Sequence, residues 1–298
     1  MHQSPNVLDG VRILSLALNL PGPAALMRCR QMGAVCLKLE PPSGDPMGHY
    51  NKPAYEQLHQ GVKILSADLK TPAGQDVLHR ELATANVLLT SFRPSALEKL
   101  GLGWKKLHSA YPSLCHVAIV GAPGERAEEP GHDLTYLAGN GLVPGLDLPA
   151  TLYADMSGSL MASEAVLKAA LIQCERYAGT GDTHPRGVLI EVALSDAAAY
   201  LALPRQWGLT QPSGSVGGAH AGYKIYACKD GRVAVAALEP HFVAALCAAA
   251  GVPASDMRAM FDPATHQAIA AFMLSRTRDQ LDRLAVEKDI PLHTMAAG

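Results

Sequence analysis

Aromatic residues make up only 5% of this 298-residue chain and charged residues only 17%, with a net charge of −2. No long basic run occurs, so nothing calls for nucleic acid or an anionic membrane, and the scarcity of aromatics weakens a base-stacking reading. No run of ~20 apolar residues occurs, because Ser, Glu, Lys or Pro interrupts each long one, so no membrane helix is expected. The polar start MHQSPNVLDG carries no signal-peptide pattern. Six cysteines, at 29, 36, 115, 174, 228 and 247, form no CxxC pair and mostly sit in apolar segments such as HFVAALCAAAG. They read as reduced core thiols of a cytoplasmic protein, not as disulfides or zinc ligands. GxGxxG, GxxxxGK[ST], GxSxG and HExxH are all missing, so a nucleotide fingerprint, a serine hydrolase and a zinc hydrolase are poor readings.

What is present is an alternation of apolar runs and helical patterns. VRILSLAL (11–18), AVCLKLE (34–40), VKILSADL (62–69), NVLLTSF (86–92) and LCHVAIVG (114–121) read as strands. PGPAALMRCRQMG (21–33) and TPAGQDVLHRELATA (71–85) read as helices, the second capped by Thr71 with Pro72 at its first position. This order predicts a parallel, doubly wound sheet. Residues 131–175 are helical in pattern and lead into the small-residue-rich stretch 157–179, and GVLIEVALSDAAAYLAL (187–203) is a strand running into a helix. PRQWGLTQPSGSVGGAHAG (204–222) turns to Gly, Pro and Ser and reads as a linker. YKIYACKDGRVAVAALEP then reads as a hairpin turning at Lys229-Asp230-Gly231, followed by helical segments at 240–251, 263–274 and 276–287. The expected domains are a large α/β domain over 1–204, a linker over 205–222 and a small α+β domain over 223–275.

Few residues carry chemistry, and each has a plain alternative. In PGHDLTYLAGNG (130–141), His132 and Asp133 stand side by side, but an Asp there also suits a helix start. Asp155 stands before the long helix and serves equally as its cap. Glu239 ends a hairpin strand and precedes Pro240, the pattern of an ordinary helix start. Arg93 follows a strand, at the sheet's carboxyl edge where α/β folds bind ligands; it suits a phosphate or is a surface cap. The Pro-Gly-Pro loop at 21–23 opens a helix and suits an anion or a tight turn.

Taken together, LDGVRILSLALNLPGPAALMRCRQMGAVCLKLEPPSGDP, LSADLKTPAG, LLTSFRPSALEKLGLGWKKL, YPSLCHVAIVG, PRGVLIEVALSDAAAYL and DGRVAVAALEPHF resemble the class III coenzyme A transferase (CaiB/BaiF) family. The chain is most similar there to the α-methylacyl-CoA racemases, at Gly131-His132-Asp133, Ala154-Asp155 and Glu239-Pro240-His241-Phe242. The resemblance implies a Rossmann-like large domain with a parallel sheet and a CoA site, beside a smaller α+β domain. It also implies an interlocked homodimer, with residues 276–298 returning toward the large domain; family members usually continue for tens of residues beyond the point where this sequence stops, Gly298. It makes His132 and Asp155 the two bases on opposite faces of the α-carbon of a 2-methylacyl-CoA, with Glu239 orienting His132. Amides at 156–158 would stabilise the developing charge, and CoA contacts would come from Lys63, Leu69, Lys70, Arg93, Asp133 and Tyr136. CoA arrives as part of the substrate; no prosthetic group, metal, nucleic acid or membrane is implied.

In the family's transferases the acid matching Asp155 attacks the thioester, and the histidine is generally not retained. His132 therefore tilts the expectation toward an isomerase, with CoA transfer between an acyl-CoA and a carboxylic acid as the alternative. A non-catalytic CoA-thioester-binding homologue is the third reading. It is motivated by Gln60-Gly61-Val62-Lys63-Ile64, where one basic residue stands in place of the family's usual three. Glu40-Pro41-Pro42, in place of the racemases' Asp-Arg-Pro, looks more like a transferase.

Overall fold

Six short apolar segments become six parallel strands in the computed structural model, which describes residues 6–179, 186–253 and 257–297. The polar N-terminal residues 1–5 and Gly298 lie outside the described residues. The strands are β1 (Arg12–Ser15), β2 (Val35–Glu40), β3 (Lys63–Ser66), β4 (Val87–Thr90), β5 (Cys115–Val120) and β6 (Leu189–Ala193). Their order is β3-β2-β1-β4-β5-β6, every neighbouring pair parallel. Parallel strands covered on both faces are apolar throughout, and β4 and β5 are buried at every residue. β3, at the sheet's edge, is largely exposed. The chain winds outward from β1 to β3, then restarts beside β1 and winds the other way. The carboxyl ends of β1 and β4 therefore diverge into a crevice, the usual ligand position of such a sheet.

The helices between them are α1 (Pro21–Gln31), α2 (Pro46–Tyr50), α3 (Lys52–Leu58), α4 (Pro72–Leu82), α5 (Pro94–Lys99), α6 (Trp104–Ala110), α7 (Asp133–Gly139), α8 (Tyr153–Gly179) and α9 (Leu194–Gln206). Thr71 caps α4 as its sequence predicts, its Oγ1 accepting from the Gly74 N–H at 3.1 Å. The alanine-rich face of α8 has the close packing its composition implies. Ala162, Ala165 and Ala169 bury against α1, and Arg28 Nε donates to Ser163 Oγ at 3.2 Å across that contact. The helical pattern over 131–175 is broken between α7 and α8. Gly141 takes a φ of 71°, and Pro144 and Pro149 cannot continue a helix there.

The chain divides into two units, Met1–Ala202 and Leu203–Gly298, and the division falls inside α9. In the second unit a short helical turn at Ser215–Ala219, interrupted at Gly218, leads to β7 (Tyr223–Cys228) and β8 (Gly231–Ala236). The helices α10 (Pro240–Ala250), α11 (Pro263–Leu274) and α12 (Arg278–Lys288) and the strand β9 (Leu292–Ala296) complete the unit. β7 and β8 form the expected antiparallel hairpin, with Cys228 paired to Gly231. Neither turn residue has a positive φ, so glycine is not required there by the turn. It is required by packing, since a Cβ on Gly231 would lie 2.3 Å from the carbonyl oxygen of Met295 in β9.

β9 pairs antiparallel with β8, from Val235–Leu292 to Gly231–Ala296. The segment 276–298 thus contributes a helix and a strand to the smaller unit itself. Leu281 and Ile290 are buried in the smaller unit's own core with Val233, Val235, Leu246 and Met273, and that burial holds the segment there. Fully burying a side chain of this size contributes about 1.5–3 kcal/mol. All six cysteines are free thiols; five are buried, while Cys174 is exposed on α8 and so departs from the core reading. Burial pushes the thiols of Cys29 and Cys36 up to about 12, which leaves them unreactive. Among the described residues no helix is long and apolar enough to cross a membrane.

Candidate active site

Where β1 and β4 diverge, the larger unit holds a cavity of about 340 Å³. The loop after β1 supplies Leu18 and Asn19, the loop after β4 supplies Phe92 and Arg93, and the segment after β5 supplies Gly121. His132 and Tyr136 enter from α7, and Asp155 from α8. The first two loops are tied together, because the Leu18 N–H donates to Ser91 Oγ at 3.2 Å. Tyr136 lies so close to two glycines that a Cβ on Gly121 or Gly131 would come within 2.3 or 2.5 Å of its phenolic oxygen. Gly131, next to His132 in the sequence, thus makes room for the tyrosine.

His132 and Asp133 separate into two roles. His132 is the N-cap residue of α7; its N–H donates to Thr135 Oγ1 at 3.0 Å, and its carbonyl accepts from the Thr135 N–H at 2.9 Å. Its backbone starts the helix and its side chain stands exposed at the cavity. Asp133 is buried, and its Oδ1 accepts the Asp155 N–H at 3.0 Å. It therefore links α7 to the first turn of α8 and does not line the cavity. Asp155 lies inside the first turn of α8 rather than ahead of it, so it is not the cap of that helix.

The electrostatics of these groups are coupled. The Asp155 carboxyl is pushed up to about 6 by burial and then by the charge of Asp133, while His132 pulls it down. The helix N-terminus favours the ionised form, so desolvation wins at this position. Tyr136 is raised by burial and by Asp155, with Arg93 opposing. Tyr50, at the end of α2, is raised by burial and by Asp45 and Asp155. Asn19, which also lines the cavity, is not singled out by the sequence: it directly follows the strand read at 11–18, but an Asn before a Pro-Gly-Pro loop reads as an ordinary turn residue.

The other sequence-predicted residues divide. Leu69 and Lys70 line a second hollow of about 170 Å³ beyond β3, and Phe92 lines both hollows. Arg93 and Tyr136 lie at the first. Lys63 opens β3 at the amino end of the strand, and lines a different hollow with Arg12 and Glu81, so the structure does not bring it to the others. Glu239 belongs to the smaller unit, at the N-cap of α10, where its carboxylate caps nothing and is exposed. The amides at 156–158 are not available as charge-stabilising donors. The Met156 N–H donates to the Leu152 carbonyl at 3.0 Å, and residues 157 and 158 lie one turn in, where helix N–H groups bond back along the chain. Among the described residues, one group could hold a metal by the closeness of its ligand atoms: Glu40, Asp45 and His59. The ammonium of Lys38 already lies within 3.1 Å of all three.

The sequence profile of CoA-transferase family III matches residues 8–297. A succinyl-CoA–D-citramalate CoA-transferase of Chloroflexus aurantiacus is 28% identical, over 97% of this chain and 78% of its own length. The alpha-methylacyl-CoA racemase of Mus musculus is 30% identical, over 84% of this chain and 66% of its own, just under two thirds. The crystal structure of a Mycobacterium tuberculosis protein superposes with a TM-score of 0.81 at 24% identity, covering 97% of this chain and 85% of that one. That last likeness is one of fold.

Proposed function

The chain belongs to CoA-transferase family III, and from that premise we propose that it interconverts the two configurations at the α-carbon of a 2-methylacyl-CoA by two-base proton transfer. Curated relatives include both CoA-transferases and acyl-CoA racemases, so the chain is an enzyme of that superfamily. The observation that carries the finer reading is that one cavity is lined by both His132 and Asp155, with the carboxyl of Asp155 raised to about 6. A thioester acidifies its α-hydrogen. One base removes that proton, the C–H pair moves into the enolate, and the conjugate acid of the other base returns a proton to the opposite face. A carboxyl near 6 is ionised at neutral pH yet basic enough to take a proton, the balance general acid–base catalysis favours. With the Asp155 and Met156 amides of α8 engaged, the side chains of Arg93 and Tyr136, which line the cavity, supply donors for the enolate oxygen in this reading. The acyl-CoA is the substrate, and these side chains need no prosthetic group. Phe92 is shared by the two hollows, so in this reading the CoA lies between Lys70 and the reacting carbon beside it.

In this reading the enzyme is a homodimer of the cytoplasm, in which Glu239 of the partner subunit orients His132. Leu146, Leu148, Leu152, Met156 and Leu160 stand exposed, an apolar surface that a second copy would cover. Sedimentation should show a dimer. A stable monomer with full activity contradicts this arrangement.

The pH dependence tests the role of Asp155. The carboxylate must be ionised to act as a base, so turnover with the substrate epimer it deprotonates should rise with pH through about 6. A profile that begins its rise near pH 4, the range of an ordinary carboxyl, contradicts the burial argument. CoA transfer is the second reading, favoured by the match of a CoA-transferase over nearly the whole chain. There Asp155 attacks the thioester carbonyl and displaces CoA thiolate, giving a mixed anhydride; the thiolate attacks its aspartyl carbonyl and expels the donor carboxylate, leaving an aspartyl-CoA thioester from which the acceptor carboxylate takes CoA by the same two steps in reverse. His132 has no necessary role in that route.

A further inference from the structure

A lysine that neither chemistry uses lies behind the cavity wall. Lys38, in β2, is wholly buried, at 0% exposure. A buried ammonium persists when each of its N–H groups has a partner. Three partners are present: Asp45 Oδ2 at 2.5 Å, His59 Nε2 at 2.9 Å and Glu40 Oε1 at 3.1 Å. His59 Nδ1 faces the Tyr55 carbonyl oxygen at 2.7 Å, so Nδ1 carries the proton and Nε2 is left to accept from Lys38. The Tyr55 hydroxyl donates to Glu40 Oε1 at 2.9 Å. The lysine thus stands where a metal would, and ties β2 to α3 and to the residue that starts α2.

Asp45 carries this network to the cavity. Besides Lys38, its carboxylate accepts the Met47 N–H at 2.9 Å, capping α2, and the Asn19 N–H at 3.1 and 3.2 Å. Asn19 lines the cavity with a φ of 63°, and among the described residues only it and Asp289 are non-glycine residues with positive φ. A residue with a Cβ is disfavoured in that region unless its surroundings hold it there. The restraint here is a carboxylate that is itself pinned by a buried ammonium. The next N–H along, that of Leu18, is pinned by Ser91.

We propose that Lys38 and Asp45 are positioning residues for the reaction at Asp155: through one shared carboxylate they hold the left-handed turn at Asn19 that forms the substrate-facing wall of the cavity. The inference rests on the reading of this cavity as the acyl-CoA site. A cluster that only stabilised the fold would change the melting temperature without setting turnover.

Asp45→Asn keeps the side-chain shape and removes the charge that binds Lys38. The KM for the acyl-CoA should change little while kcat falls about tenfold or more, as expected when a reacting group is displaced by a fraction of an ångström. By NMR, hydrogen-exchange protection at the Asn19 amide should fall about tenfold while the amides of β4 and β5 keep theirs. Adding Asn19→Gly, which adopts positive φ unaided, should restore most of kcat without restoring the lowered melting temperature. Asn19→Val leaves the buried charges intact and should reproduce the kcat loss in a protein that still melts cooperatively. It decides the question if Asp45→Asn fails to fold. The Asn19 amide is read without turnover, so a wild type inactive in both proton exchange and CoA transfer would sink the function while the clamp is still judged. Unchanged kcat and unchanged Asn19 protection in Asp45→Asn, or wild-type kcat in Asn19→Val, overturns the proposal.

Discussion

Replacing Asp155 by Asn should lower turnover by about 10³-fold, within the range of a lost general base, and should do so whether proton exchange or CoA transfer is assayed. The same change should make the protein more stable at pH 8. The folded-state pKa of Asp155 is raised from 3.8 to about 6, so its contribution to stability is fully present below pH 4 and is lost as the pH rises through 6. Above that, the ionised carboxylate sits partly desolvated beside Asp133 and costs about 1–2 kcal/mol once its partial exposure is allowed for. The substituted asparagine would carry no charge into that site. Its backbone N–H still donates to Asp133, so the start of α8 is retained. Calorimetry at pH 8 and pH 4 checks this directly: the gain should appear at pH 8 and vanish at pH 4. Lost activity accompanied by a lower melting temperature at both pH values would mean that the carboxylate holds structure.

Replacing His132 by Ala should lower α-proton exchange of the epimer that His132 deprotonates by about 10²–10⁴-fold while leaving stability within about 0.5 kcal/mol of wild type. The stability claim follows from how His132 is built in. Its N–H and carbonyl, not its exposed imidazole, make the bonds to Thr135 that start α7. Alanine keeps both. Under the transferase reading the same variant should retain CoA transfer within about tenfold, since the attacking carboxylate is untouched. The ratio of the two activities in His132→Ala is thus more informative than either rate alone.

Much of this arrangement is legible in the chain because parallel sheets are apolar throughout and are punctuated by helix starts. The strands around Leu14, Leu37, Leu88 and Val117 are legible for that reason, as is the crevice after β4 that holds Arg93. The strand β9 is not. LHTMA is short, mixed in polarity and close to the end of the chain, and only its pairing with β8 makes it a strand. α2 and α3 escape notice because GDPMGHYNKPAYEQL is rich in turn residues; Asp45 and Asn51 turn those residues into helix caps. Lys63 joins the CoA contacts by resemblance, yet a residue that opens a parallel strand lies at the end of the sheet away from the crevice. Lys38 draws no attention because one lysine in an apolar strand reads as an edge residue. Its three partners come from positions 40, 45 and 59, and their meeting is a property of the fold.

The central claim is that His132 and Asp155 exchange a proton with the α-carbon. A single-enantiomer 2-methylacyl-CoA incubated with the enzyme in deuterated water tests it directly. The account predicts deuterium at the α-carbon appearing together with loss of optical purity in the wild type, and, in His132→Ala, no loss of optical purity and no deuterium in the epimer that His132 deprotonates. An α-carbon that stays protiated and optically pure in the wild type, while CoA passes to an added carboxylate and Asp155→Asn blocks that transfer, would contradict it.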